Sequence, residues 1–310
     1  MSGRFARSSG IVVLVALCAM TFQAAATDLS GSVTGSVSDG SKTLLYRLFE
    51  PKIADGQKAP LVLFLHGMGE RGADNVAQTT WMSGLLDHTQ SGQYASYVLA
   101  PQIDTQSWFQ SWTSTPTEAM SLTIKALQKV INTENIDTSR IYVTGVSMGG
   151  MGAWDILERE PKLFAAAVPM SGGGDVNSAA AIKDVPVWAF HGSNDPLVPV
   201  SATRAMIAAL KDAGGSPKYT EVEGGGHVIW DPIYADAGDT LYPWLFSQHL
   251  GDAVAASPTP VADPVVSASD PDAIVPVFGS IPEPGTIALI TLTAAALFTR
   301  RKRPTVAKTH

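Results

Sequence analysis

Five consecutive apolar residues, Leu61-Val62-Leu63-Phe64-Leu65, run from a turn-rich stretch (51–60) into a glycine-rich loop. An unbroken apolar run of that length predicts a strand covered on both faces. Similar runs at 43–49, 97–100, 141–144, 164–170, 185–190 and 218–222 predict further strands. Between them, segments at 76–88, 117–132, 151–160, 201–213 and 234–249 carry helical spacing. The Ser/Gly-rich start, 28–40, reads as weakly structured or as a first hairpin. Strands alternating with helices predict an α/β fold with a doubly wound, mostly parallel sheet. In such a sheet ligands sit beyond the carboxyl ends of the strands. Most of the polar residues singled out below fall at such an end.

The two ends of the chain break this pattern. Residues 1–26 read as a secretory signal peptide. Arg4 and Arg7 precede an apolar core at 11–20, and Ala24-Ala25-Ala26 offers a cleavage site before Thr27. That core is too short for a membrane span. The folded body is expected over 27–250. From 251 to 280, five prolines among Ala, Asp and Ser predict an extended linker. The last segment, 281–310, holds Pro282-Glu283-Pro284, an apolar run at 285–299 and the basic stop Arg300-Arg301-Lys302-Arg303.

Composition narrows the function. The formal net charge is −7, and with the two terminal segments removed the body is near −13. An acidic body without a Lys/Arg cluster argues against a nucleic-acid partner. The one cysteine, Cys18, lies in the predicted leader, so disulfides and a thiol nucleophile are not expected in the mature chain. The six histidines show no metal-ligand spacing, and no glycine-rich phosphate loop precedes a lysine. No metal or cofactor is expected.

The chemistry concentrates at Gly145-Val146-Ser147-Met148-Gly149-Gly150, which joins a β-branched strand run to a helical segment. Gly-x-Ser-x-Gly between strand and helix holds a serine on a sharp turn with its hydroxyl clear of the backbone. The glycines give room where strand and helix pass close to it. The amide of Met148, at the helix N-terminus, can face a developing oxyanion. A serine hydroxyl still needs a base, and the base needs an orienting acid.

Taken with His66-Gly67-Met68-Gly69-Glu70-Arg71-Gly72, Ala100-Pro101-Gln102, His191-Gly192-Ser193-Asn194-Asp195 and Gly226-His227, this motif resembles the α/β-hydrolase superfamily. More narrowly it is similar to small secreted esterases of the prolyl-oligopeptidase-like, polyhydroxybutyrate-depolymerase-like and feruloyl-esterase-like group. The resemblance implies the chain order Ser147, Asp195, His227 for nucleophile, acid and base. Asp175 also follows a strand end and is the rival acid. It implies that the His66 loop supplies a second oxyanion amide from Met68, with His66 itself structural. His191 reads as a buried, hydrogen-bonded histidine. Trp108 and Trp112 either line an acyl or sugar pocket or pack. Glu70 either contacts substrate or fixes its loop. The short stretch between Ser147 and Asp195 leaves no space for a large lid. An ester substrate, free or on a carbohydrate or polymer, is the expected partner. A peptidase of the same mechanism is one alternative, and a non-catalytic surface or matrix binding protein on the same scaffold is another.

The three-part tail resembles the PEP-CTERM sorting signal. That resemblance implies export, handling by an exosortase at the inner membrane, and a destination in the periplasm, at the cell surface or in the extracellular matrix. A plain C-terminal membrane anchor is the alternative.

Overall fold

The structure, a computed structural model, describes residues 27–104, 106–108, 113–236 and 239–251. The predicted leader, Trp112, the linker beyond Gly251 and the tail lie outside the described residues. Eight strands form one sheet in the order β1-β2-β4-β3-β5-β6-β7-β8. The strands are β1 (Ser32–Ser38), β2 (Thr43–Phe49), β3 (Ala59–Leu65), β4 (Tyr97–Gln102), β5 (Ile136–Val146), β6 (Ala166–Met170), β7 (Trp188–Gly192) and β8 (Lys218–Val222). β1 and β2 make the antiparallel hairpin, and β2 runs antiparallel to β4. From β4 to β8 every pairing is parallel.

Burial explains why β3 sits near the middle. All seven of its residues are buried. Leu61, Leu63 and Leu65 face one apolar layer with Val143, Trp154 and Leu157, while Val62 and Phe64 face the other with Tyr142, Val168 and Trp230. Alternate side chains of one strand therefore feed two layers, which is what a continuous apolar run dictates. The helices are α1 (Ser83–Thr89), α2 (Glu118–Thr133), α3 (Met148–Arg159), α4 (Ala179–Ile182), α5 (Val200–Asp212), α6 (Trp230–Ala235) and α7 (Leu241–Phe246). Buried residues of α2, α3 and α5 join the first layer, and those of α1, α6 and α7 the second.

Three helix predictions need correction. The expected closing helix at 234–249 is two short helices. Asp236 adopts φ +43°, which ends α6. Its carboxylate then accepts from the amides of Thr240 (3.0 Å), Leu241 (2.9 Å) and Tyr242 (3.3 Å), which starts α7. α3 begins at Met148, three residues earlier than predicted, because its glycine-rich first turn hides the helical spacing. The 76–88 segment is a one-turn 3₁₀ helix (Ala77–Thr79) followed by α1. Between Ser147 and Asp195 the chain inserts only α3, β6, a 3₁₀ turn (Val176–Ser178), α4 and β7, so no large lid is present there. Among the described residues no helix is long and apolar enough to cross a membrane.

Candidate active site

Ser147 stands between the last residue of β5 and the first of α3, at φ 55° and ψ −119°. A non-glycine residue there is strained, and such strain persists only where surrounding structure holds it. Two backbone bonds do so. Ser147 N donates to Met170 O at 2.9 Å, and Met151 N donates to Ser147 O at 3.0 Å. The glycines are required sterically. A Cβ on Gly145 would run into the Gly149 carbonyl, and one on Gly149 into the Leu65 carbonyl.

The turns after β7 and β8 bring two more groups to this serine. Asn194 N donates to Gly225 O at 2.9 Å, and Gly224 N to Ser193 Oγ at 2.8 Å, so the two turns are tied together. His227 Nδ1 lies 2.7 Å from Asp195 Oδ2, and His227 Nε2 lies 2.7 Å from Ser147 Oγ. An ionised carboxylate only accepts, so Nδ1 carries the hydrogen and Nε2 is left to accept from the serine hydroxyl. The Asp195 side chain is wholly shielded from solvent and the His227 side chain nearly so. Burial pushes the Asp195 carboxyl up. The His227 hydrogen bond and the amides of Val198 and Leu197 outweigh it and leave the pKa below the usual carboxylate value.

Around this row sit aromatic and loop contacts. Ser171 Oγ donates to His227 O at 3.0 Å. The Trp230 ring meets the His227 ring edge-on at 5.5 Å, and Trp81 meets Trp230 in the same way at 5.6 Å. Trp81 Nε1 donates to Glu70 Oε1 at 2.9 Å. The histidine loop and the loop after β3 are thus braced against each other. Nothing in the spacing of Trp81 and Trp230 along the chain announces that link, because Trp81 lies in the turn before α1 and Trp230 opens α6.

The loop after β3 passes over the serine. A Cβ placed on Gly67 would lie 3.6 Å from Ser147 Cβ. Met68 opens a one-turn 3₁₀ helix, Met68–Glu70, and its side chain is exposed. The amide of Met148, in the first turn of α3, has no partner within the helix. His66 is fully buried beneath this loop. Its Nδ1 donates to Gly67 O at 2.6 Å and its Nε2 accepts from Ile103 N at 3.1 Å. Burial pushes its pKa down to about 4. It is a neutral, structural ring at working pH.

Of the residues weighed for substrate contact, Trp108 belongs to the core. It is fully buried, and its Nε1 donates to His66 O at 2.9 Å. The pocket-lining expectation for Trp108 is therefore corrected to packing beneath the loop. Trp112 lies outside the described residues. Glu70 is half-buried, with one oxygen on Trp81 and the other over Gly67. The rival acid Asp175 caps the 3₁₀ turn, accepting from Asn177 N at 3.0 Å and Asn177 Nδ2 at 2.8 Å. No group of three or more His, Cys, Asp or Glu among the described residues is placed to hold a metal.

Such a row can pass a proton from a hydroxyl to an imidazole while the hydroxyl oxygen attacks a carbonyl. Residues 51–245 match the Phospholipase/Carboxylesterase family, and residues 280–303 match the PEP-CTERM protein-sorting motif. A crystal structure of a thermostable esterase is 37% identical with a TM-score of 0.66, covering 71% of this chain and 64% of that one. A ferulic acid esterase structure, 18% identical with a TM-score of 0.53 over 69% of this chain and 96% of that one, is alike in fold. A bifunctional acetylxylan esterase/xylanase of Neocallimastix patriciarum is 25% identical over 186 residues, 60% of this chain and 26% of that protein. Poly(3-hydroxyalkanoate) depolymerase C of Paucimonas lemoignei is 32% identical over 123 residues, 37% of this chain and 28% of that protein. The chain spans about a quarter of the length of these curated relatives.

Proposed function

Because the chain belongs to the phospholipase/carboxylesterase family, we propose that it is an exported serine esterase that forms an acyl-enzyme on Ser147. His227 takes the Ser147 proton as the serine oxygen bonds to the ester carbonyl carbon. The amides of Met148 and Met68 receive the oxyanion. The carbon–oxygen bond to the alcohol then breaks, and His227 returns the proton to the leaving oxygen. Water, deprotonated by the same imidazole, releases the acid and restores the serine. Asp195 keeps Nδ1–H pointed at itself and stabilises the imidazolium while it exists. Loss of one oxyanion donor typically costs about 10²–10³ in rate. Both donors here are backbone amides, so replacing the Met68 side chain costs far less.

The observation that carries this reading is the unbroken row Ser147–His227–Asp195, with 2.7 Å at each step. Short-chain esters, or acyl groups linked to a carbohydrate or polymer, are the proposed substrates. The absence of a large lid between Ser147 and Asp195 and the named activities of the two curated relatives support that choice. Glu70, whose second oxygen lies over Gly67 in the loop above the serine, is the residue proposed to receive a hydroxyl of the substrate, since a carboxylate can only accept. The body over 27–250 carries the catalysis. The leader directs export, and the segment 281–310 hands the chain to an exosortase system on its way to the cell surface or matrix.

Replacing Ser147 by Ala tests the proposal. Turnover of p-nitrophenyl acetate should fall by roughly 10⁴-fold or more. Near wild-type turnover would reject the serine. Faster cleavage of peptide anilides than of short esters by the wild-type protein would favour a peptidase. Failure to react with a fluorophosphonate would favour a binding protein. Deleting 281–310 should alter where the protein accumulates and leave kcat/KM unchanged.

A further inference from the structure

Asp195 is shared between two imidazoles. Its Oδ2 accepts from His227 Nδ1 at 2.7 Å and also lies 3.1 Å from Nε2 of His191. The side chains of His191 and Asp195 are both fully buried. His191 Nε2 lies 3.0 Å from Val198 O as well. A carboxylate and a carbonyl can only accept, so this nitrogen carries a hydrogen. On the other side of the ring, Nδ1 is 2.6 Å from Thr203 Oγ1 on α5, and the same hydroxyl is 2.6 Å from Gly172 O. Thr203 has one proton. On an uncharged ring with its hydrogen on Nε2, Nδ1 can only accept, so the hydroxyl proton is shared between Nδ1 and Gly172 O.

The Asp195 carboxylate therefore has four N–H neighbours. Leu197 N (2.8 Å) and Val198 N (3.0 Å) hold Oδ1, and the two imidazoles hold Oδ2. The Oδ1 donors come from the turn that follows Asp195. On Oδ2, the His227 bond is the one that must work through the reaction, so His191 is the fixed reference for that oxygen.

We propose that His191 is a positioning residue for the reaction, its Nε2–H fixing the Asp195 oxygen that in turn orients His227. The inference rests on the Ser147–His227–Asp195 reading above. Two effects follow from removing that N–H. The carboxylate gains freedom to turn, so His227 is aimed less well. Oδ2 also keeps more of its negative charge for His227, which favours the imidazolium and moves the acid-side fall of kcat/KM to higher pH. The titratable groups facing the His191 ring are Asp195, His227 and, opposite it on β8, Glu221. Glu221 is held ionised by Arg204 and Tyr219 and so stays charged across neutral pH. Burial lowers the His191 pKa against the pull of Val198 O and Asp195, so the donor at neutral pH is the uncharged ring.

The test compares His191→Phe, His191→Gln and Thr203→Val in the full chain, with rates per active site counted by fluorophosphonate titration. The Phe variant keeps a planar ring and removes the N–H. It should lose about 10–100-fold in kcat with KM little changed, and its acid limb should move up. The Gln variant restores an uncharged N–H near the Nε2 position, and should recover most of kcat and the wild-type limb. The Val variant removes the hydroxyl shared by Nδ1 and Gly172 O but leaves the Nε2–H in place, and should show a smaller change in the same direction. Wild-type kcat and pH profile in a folded Phe variant would overturn the proposal, as would a Gln variant as impaired as Phe. If the Phe variant does not fold, a wild-type profile in both Gln and Val variants overturns it, and a shifted Val profile beside an unshifted Gln profile supports it. Failure of the underlying reading shows separately, as unsubstituted protein that does not take the label or Ser147→Ala protein that stays active.

Discussion

Two shielded carboxyl groups in this molecule end in opposite states. Asp195, in the turn after β7, has four N–H neighbours, and its pKa lies below the ordinary value. Glu158, near the end of α3, accepts from Asp175 N at 3.1 Å and has Asp155 and Asp175 for company. Burial, reinforced by those two acids, pushes its pKa up to about 8 despite the Asp175 amide and Arg159. Burial acts on both in the same direction. What separates them is the number of donors on the charged form and the sign of the charges nearby. The difference also separates the two candidate acids. Asp195 sits where an ionised carboxylate is held against an imidazole, whereas Asp175 spends its carboxylate on capping a turn.

The sharpest way to break that comparison is to neutralise each acid in turn. Asp195→Asn keeps the size and leaves His227 facing an amide that favours the wrong tautomer, so kcat/KM should fall by about 10³–10⁴-fold. Asp175→Asn still caps the turn and should stay within about twofold. Equal losses in the two variants, measured on p-nitrophenyl acetate, would mean that the acid is wrongly assigned.

The next effect is on stability. Glu158 has a folded pKa of about 8 against an ordinary 4.5, so the folded state holds an extra proton between those values. Its contribution is therefore most favourable at the low end of that window and is lost as pH rises towards 8. Asp195 has the opposite sign. Its depressed pKa gives stability above the ordinary carboxylate range, lost as pH falls through the folded value. Glu158→Gln should thus stabilise the protein by ~1–3 kcal/mol at pH 8.5 and by little at pH 5. Urea unfolding at the two pH values reads this directly, and a variant that is less stable at pH 8.5 would contradict the sign.

The smallest effect concerns Trp108. Trp108→Phe leaves the buried His66 carbonyl without its indole donor, at about 1–2 kcal/mol of stability. A buried packing residue predicts a lowered Tm with KM unchanged. A raised KM at unchanged Tm would return Trp108 to the substrate pocket.

Much of this was legible in the residues. Leu61 to Leu65 declares a strand with two covered faces, and Gly145 to Gly149 declares the turn on which Ser147 sits. Asp195 and His227 fall in the order that the resemblance implies, and the structure brings both to Ser147. What stayed hidden depends on single backbone angles or on distant partners. The left-handed conformation of Asp236, which splits the last helix, leaves no periodic trace. The strand predicted at 185–190 is displaced to Trp188–Gly192, with Val187 left as an isolated bridge to Ala167. Asp175 and Asp195 both follow strand ends, and only their partners tell them apart. The i, i+4 spacing of His191 and Asp195 was visible, yet only the bend of the turn brings the ring onto the carboxylate.

The most direct measurement is peptide mapping of the wild-type protein after reaction with a fluorophosphonate ester. Trypsin releases Ser147 in the peptide 141–159, in which it is the one serine. The account predicts a single phosphonyl adduct on that peptide and much slower labelling when His227 is replaced by Ala. An adduct on another serine, with 141–159 unmodified, would contradict it, as would no adduct at all.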